Sequence, residues 1–452
     1  MDLTKFKEKL FVEAKAAGLE EYELYCKRAS SFDVSIFEAE IDEFKSERTF
    51  GVSFRGKVNG KMGYAFSEKL DDAVITFLID NVKQNADVIE DEEEEFVYGG
   101  DAAYPEVVCY NPATNDIPTE VKIEAAMRME RAAMEVDDRV ENLPYCAVDI
   151  TEAEVYIANS KGLDVRFITN RICGVAEVQV EGEDEQVKTD YDGYDGLDFA
   201  KFDPVAIGQK AAKKALAMLG ASPVPSGKYP VIFAPESASE MLETWIAAFS
   251  AEKAHKGFSI LAGKLGEKIA ADCVTIIDDP LMPGQEATTP FDSEGVASRT
   301  KTVIDSGMFK TFLHNTKTAA KDGVAPTGNG FKSSLEMPVD IAATNFYVKP
   351  GTDSHEALLA KMDNGIVISA VEGLHSGANE TSGDFSLAAS GFLVEGGKIV
   401  RAVDQITISG NFFGMMKDII AVGSNLEFKL GDDTNNAAAP SLYVKSLDIA
   451  GN

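Results

Sequence analysis

The residue types best suited to chemistry are thinly spread along this chain. Its four histidines, His255, His314, His355 and His375, stand far apart, with no two at metal-ligand spacing. His255 and His355 fall in polar helical contexts and read as surface residues. The five cysteines (Cys26, Cys109, Cys146, Cys173, Cys273) are scattered and odd in number, which gives neither a zinc cluster nor a disulfide framework. Ser250-Ala251-Glu252-Lys253 fits the S-x-x-K of penicillin-binding enzymes but lacks the companion motifs. The run from Gly257 to Gly263-Lys264 has one residue too many for a phosphate-binding loop, and no Ser or Thr follows the lysine. No G-x-S-x-G turn occurs.

One stretch does gather polar groups, from Leu374 to Phe385. His375, Ser376, Asn379, Thr381 and Asp384 line up there with almost no apolar residue between them, and such a loop between buried strands is a common binding surface. Gly377 and Gly383 allow backbone close to a ligand. The same residues also suit an ordinary turn rich in Gly, Asn and Ser. His375, Asp384 and Ser376 supply, in addition, the residue types of an autonomous hydrolase.

The elements around that loop read as strands. Ile366–Ile368, Phe392–Val394 and Ile406–Ile408 are short apolar runs bounded by glycine, and Gly396-Gly397 suits a tight hairpin. Upstream, Leu3, Phe6, Leu10 and Ala14 predict a helix stopped by Gly18. Strands are expected at 22–27, 32–37, 51–55 and 62–66, the last two joined at Asn59-Gly60, and a helix at 70–88. The acidic run 90–95 reads as a solvated linker and 98–118 as a connection. A helix at 119–136, strands at 152–158, 163–169 and 174–181, an acidic loop at 183–196 and a helix at 203–220 follow, loosely repeating the first order. Pro223-Val224-Pro225-Ser226-Gly227 marks the main boundary, with a strand at 230–233 and helices at 237–249 and 355–361 beyond it. The expected fold is α+β. Residues 1–222 would put helices on antiparallel sheet, in two similar halves of about 1–110 and 111–222, and 223–452 would be mainly β, curled into a barrel-like or closed sheet.

Forty-three basic against seventy-five acidic residues leave a net charge of −32 over 452 residues. That field repels phosphate backbones and anionic membranes, so no nucleic-acid or membrane partner is expected. The start carries no apolar core of signal-peptide type, and the cysteine usage fits a reducing cytoplasm.

Several motifs together carry a resemblance: His375-Ser376-Gly377-x-Asn379, Ser382-Gly383-Asp384-Phe385-Ser386, Gly391 to Lys398 (GFLVEGGK), Ile408-Ser409-Gly410-Asn411, Pro223 to Val231 (PVPSGKYPV) and Ala325 to Gly330 (APTGNG). With them the chain resembles the TldD/PmbA (TldE) family, and within it the PmbA/TldE branch. In the TldD branch the helix matching residues 235–243 is similar to HExxxH followed by Leu-Glu; its histidines hold zinc and its glutamate serves as general base. Aligned on Leu242-Glu243, Pro235 and Glu240 take the two histidine positions and Glu236 the glutamate position. The family's further cysteine ligand has no match, because no cysteine follows Cys273. The resemblance therefore implies the non-catalytic subunit of a two-subunit zinc metalloprotease, with no zinc in this chain and a TldD-type catalytic partner that supplies it. It implies unfolded or extended peptides as substrates, a homodimer when the chain is alone, and an indirect origin for the family's link to DNA gyrase. The polar loop residues His375, Ser376, Asn379, Thr381 and Asp384 become candidates for the peptide groove. A homodimeric peptide-binding or chaperone-like module without a catalytic partner is the alternative.

Overall fold

A computed structural model describes residues 1–89, 94–183, 185–428, 430 and 436–452. The first half is one antiparallel sheet with helices on a single face. Helix α1 (Leu3–Ala16) leads into β1 (Tyr22–Phe37), β2 (Glu40–Val58) and β3 (Lys61–Ser67), followed by α2 (Asp72–Val88). The order then recurs as α3 (Thr119–Met134), β4 (Val140–Asn159), β5 (Asp164–Glu181), β6 (Val187–Gly196) and α4 (Pro204–Ala217). All six strands form a single sheet in the order β3-β2-β1-β4-β5-β6, so β1 and β4 sit side by side at its centre.

Period-two alternation builds this sheet. Leu24 and Cys26 of β1 pack under α1 and α2, while Phe32, Val34 and Ile36 of the same strand pack under α3 and α4. The separate strands expected at 22–27 and 32–37 are therefore one. The intervening Arg28 to Ser31 keep their ladder partners on both β2 and β4. Likewise 163–169 and 174–181 belong to a single β5. Gly174 sits inside it because a side chain there would meet the Phe202 ring at 2.5 Å. The expected acidic loop 183–196 is corrected too: from Val187 it is strand β6, paired with β5 as far as Ile172↔Gly196. Its residues (VKTDYDGYDG) are half-buried and polar on both faces, so the apolar alternation that marks a strand is missing. Asn59 (φ 52) and Gly60 (φ 76) make the β2–β3 turn as expected. Of the acidic run, 90–93 lie outside the described residues, and Glu94 pairs with Lys57 at 3.0 Å.

The second half holds a closed five-stranded barrel. Its strands are β7 (Gly227–Phe233), β8 (Gly365–Glu372), β9 (Asp384–Glu395), β10 (Lys398–Asn411) and β11 (Leu442–Ala450). They run in the order β10-β9-β8-β7-β11, and β10 closes the ring on β11 through Ile408↔Ile449. Gly396 and Gly397, both at positive φ, turn β9 into β10. A second sheet in this half places Asn345–Val348 beside Asn436–Ala439, in parallel. Between the layers a core gathers around Trp245, Phe249, Phe309 and Phe346, all fully buried. The helix expected at 237–249 breaks at Trp245 into α5 (Pro235–Thr244) and a 3-10 turn (Ile246–Phe249).

The two halves meet across the helix-free face of the first sheet. Buried there, Arg55 of β2 donates from Nε to Glu23 at 2.8 Å and stands 3.7 Å from Glu294 of the second half. Tyr104 adds a bond from its hydroxyl to the Gly295 carbonyl at 2.8 Å. Among the described residues no helix is long and apolar enough to cross a membrane.

Candidate functional site

Helix α5 springs directly from barrel strand β7. Pro235 opens it, where its missing N–H costs nothing and its fixed φ suits the first turn. The Ser237 hydroxyl donates to the Ile368 carbonyl at 2.7 Å, and Ser239 accepts the Ala439 N–H at 2.8 Å. Those bonds pin α5 to β8 and to the second sheet. Met241, Leu242 and Trp245 fill the core beneath it.

The polar side of α5 meets the first half of the chain. Lys214, in the last turn of α4, places its ammonium 3.3 Å from Glu236 and 3.0 Å from Asp190, and donates to the Tyr191 carbonyl at 2.7 Å. It also lies 5.1 Å from the centre of the Tyr191 ring. Burial works to lower the Lys214 pKa, but Glu236 and Asp190 outweigh it and the net shift is upward. For Asp190 burial wins over Lys214, and its pKa rises. The two shifts divide one interaction unequally: a single ammonium serves two carboxylates and a carbonyl, whereas Asp190 shares that ammonium. Tyr191 is held above the usual phenol range, first by burial and then by Glu236, with Glu240 adding to the effect.

The polar loop sits beyond the far end of α5. The buried Trp245 indole donates to the Asn379 carbonyl at 3.2 Å and stacks on Phe412 at 4.6 Å. Asn379 shapes the loop: its side-chain oxygen accepts the N–H groups of Thr381 (3.0 Å) and Ser382 (2.9 Å), and its own N–H donates to the Asp384 carbonyl. The Asp384 carboxylate accepts from the Ser382 hydroxyl at 2.8 Å and from the Asn411 amide at 2.9 Å. Those bonds, Asn411 first, hold its pKa below the ordinary carboxylate range. Ser376 donates to the Gly373 carbonyl at 3.3 Å. His375 and Thr381 are exposed, and their side chains bond to no described residue. The structure thus brings Asn379, Ser382, Asp384 and Asn411 into one network and leaves His375 and Thr381 facing outward.

Sequence reasoning missed Lys214, Asp190 and Tyr191 as partners of α5. They lie on two elements of the other half, and no local motif links them. Among the described residues, no three His, Cys, Asp or Glu side chains converge as metal ligands do. The expected position of the family's further ligand falls in residues 426–441, of which 429 and 431–435 lie outside the described residues.

Helix α5 is thus seated between a two-layer first half and a closed barrel. Three descriptions match in succession: PmbA/TldA metallopeptidase domain 1 over residues 22–86, the central domain over 112–219 and the C-terminal domain over 226–451. The chain belongs to the PmbA/TldD metallopeptidase family. A Thermotoga maritima protein described as a candidate modulator of a DNA gyrase is similar in structure (TM-score 0.91) and 33% identical, covering 99% of this chain and 100% of that one. TldE from Thermococcus kodakarensis shares the fold at a TM-score of 0.90 and 23% identity, covering 99% of this chain and 100% of that one. By sequence, the Metalloprotease PmbA homolog of Haemophilus influenzae is 29% identical over 351 residues, 77% of this chain and 73% of that protein.

Proposed function

We propose that this chain is the zinc-free subunit of a two-subunit metallopeptidase, one that helps enclose and hold an unfolded peptide while a TldD-type partner supplies the metal and the general base. The observation that carries this reading is the chemistry of α5. Pro235 offers no donor atom where the family's first histidine stands. Glu236, at the general-base position, is engaged by the Lys214 ammonium and the Tyr191 hydroxyl. A base held by an ammonium has little pull on a water proton, and Glu236 with Glu240 is not a zinc donor set. The residues present do not fit zinc, and no step is routed through a metal in this chain.

An extended peptide has a surface to join. Along Glu40 to Thr49, β2 is exposed beyond the reach of β3, which pairs Val52 to Val58. Strand addition there takes main-chain hydrogen bonds and makes little demand on sequence. His375, Ser376 and Thr381 would offer their side chains to the peptide, with Asn379 and Asp384, which also hold the loop's shape, beside them. The test is to purify the chain with and without a TldD-type subunit and assay cleavage of an unfolded peptide. Cleavage is expected from the pair and not from this chain alone, with or without added zinc. Cleavage by this chain alone would overturn the reading. Peptide binding without any cleavage by the pair would favour the homodimeric binding module.

A further inference from the structure

The helix-free face of the first sheet carries a trough floored by small side chains. The ladder sets Thr49, Ala29, Ala153 and Thr169 side by side across β2, β1, β4 and β5. Three inter-strand spacings make that row about 14 Å long. Larger side chains flank it, Lys27, Val155 and Phe167 in one neighbouring row and, either side of Ser31 and Thr151, Glu47 and Arg171 in the other. A row of small residues between two larger ones leaves room for a ligand to lie against the sheet.

On the Val155 side the trough adjoins a half-open cavity of about 260 Å³. Its walls are largely apolar, with Tyr25, Val155 and Phe167 from the sheet facing Phe291 and Phe331 from the second half. This is smaller than the roughly 300–1,000 Å³ of pockets for drug-sized molecules, so it suits one side chain of a longer ligand. The polar groups around it are mostly committed. Asp292 accepts three backbone N–H groups, from Glu294, Val296 and Gly330, at 2.9 to 3.0 Å. Glu286 lies 3.7 Å from an Arg171 nitrogen, and Lys332 donates to the Met337 carbonyl at 2.7 Å.

Lys27 is the exception. It lines both the cavity and the trough, is exposed, and bonds to no described residue. In a chain of net charge −32, a cation left unpaired at the mouth of an apolar cavity calls for an anion that carries its own apolar body. A peptide's last residue has that chemistry: a carboxylate on the same carbon as a side chain. We propose that this cavity is a C-terminal subsite, taking the apolar side chain of a peptide's last residue with the terminal carboxylate on Lys27 Nζ and the preceding residues along the Thr49–Ala29–Ala153–Thr169 floor. The proposal deepens the peptide-holding reading above and rests on it, naming which peptides are held best: those with a free C terminus and an apolar last residue.

The test uses the purified full chain and fluorescein-labelled hexapeptides ending in leucine, as the free acid and as the amide, followed by polarisation. The acid is expected to bind roughly ten-fold or more tightly than the amide, the size of one charge-assisted hydrogen bond. Lys27→Met should weaken the acid to the level of the amide and leave the amide unchanged. Ala153→Leu, which fills the floor, should weaken both. N-acetyl-leucine, which has the anion but nothing for the trough, should bind more weakly than the hexapeptide acid. Equal affinity for acid and amide, no effect of Lys27→Met, or no binding up to millimolar peptide would each overturn the subsite. Cleavage by the pair with a TldD-type subunit separates the two claims. If the pair cleaves the amide as fast as the acid, the subsite falls and the peptidase reading stands. If the pair cleaves neither, that reading falls, while the polarisation series still decides the subsite.

Discussion

Replacing Lys214 by methionine removes one charge and keeps the side-chain stem, so the change isolates what the ammonium does between the two halves of the chain. In the folded protein it serves Glu236, Asp190 and the Tyr191 carbonyl at 2.7 to 3.3 Å, with its side chain 31% exposed. Breaking a buried ion pair by removing one partner costs roughly 3–5 kcal/mol, whereas an exposed pair is worth about 0–1 kcal/mol. The partial exposure places Lys214→Met between these limits, at about 2 kcal/mol. Most of that cost would come from leaving Glu236 and Asp190 without their cation. The double variant Lys214→Met/Glu236→Gln should therefore recover about 1 kcal/mol. Urea denaturation at pH 7 measures both, read as midpoint shifts at unchanged slope. The pH dependence has a fixed sign. Because the folded pKa of Lys214 lies above its unfolded value, its contribution is complete below the unfolded value of about 10.4 and fades as pH rises through the folded one. The gap between wild type and variant should hold at neutral pH and narrow in strong alkali. A loss under about 0.5 kcal/mol, or no recovery in the double variant, would refute the view that Lys214 is the resident cation of this site.

Asn379→Ala should cost about 0.5–1.5 kcal/mol, since two exposed backbone N–H groups exchange a fixed acceptor for water and the turn they close is loosened; a denaturant midpoint measures it. His375→Ala, by contrast, should stay within about 0.5 kcal/mol and lower peptide cleavage by the reconstituted pair. Asn411→Ala should let the Asp384 pKa rise toward its ordinary value, read by carboxyl NMR titration. The depressed folded pKa means that Asp384 stabilises the fold above its unfolded pKa and stops doing so as pH falls through the folded one, a dependence the variant should blunt.

The parts of this fold that could be read from the sequence are those where one residue type dictates one backbone. Asn59-Gly60 and Gly396-Gly397 demand hairpins and the strands they join follow, whereas α5 begins two residues before the expected 237, at Pro235, whose ring suits a first helical position. Strand β6 could not be read, because a polar strand squeezed between α4 and β5 carries no apolar alternation. Nor could the length of β1, whose middle residues Arg28 to Ser31 resemble a connection until both neighbouring strands are in place. The polar loop was legible as a cluster of side chains but not as a network. That Asn379 and Asp384 bond inward while His375 and Thr381 face outward depends on Trp245 and Asn411, distant in sequence. The trough is written in one small residue on each of four strands, a signal that means something only once those strands are known to be neighbours.

The central claim, that this chain lacks the metal its family is named for, is tested most directly by zinc stoichiometry. The chain is purified alone and metal-free, re-exposed to zinc, dialysed and measured by elemental analysis. The account predicts far less than one zinc per chain, because Pro235 offers no ligand and Glu236 is already bound to Lys214. One tightly held zinc per chain, lost on Glu240→Ala, would contradict it.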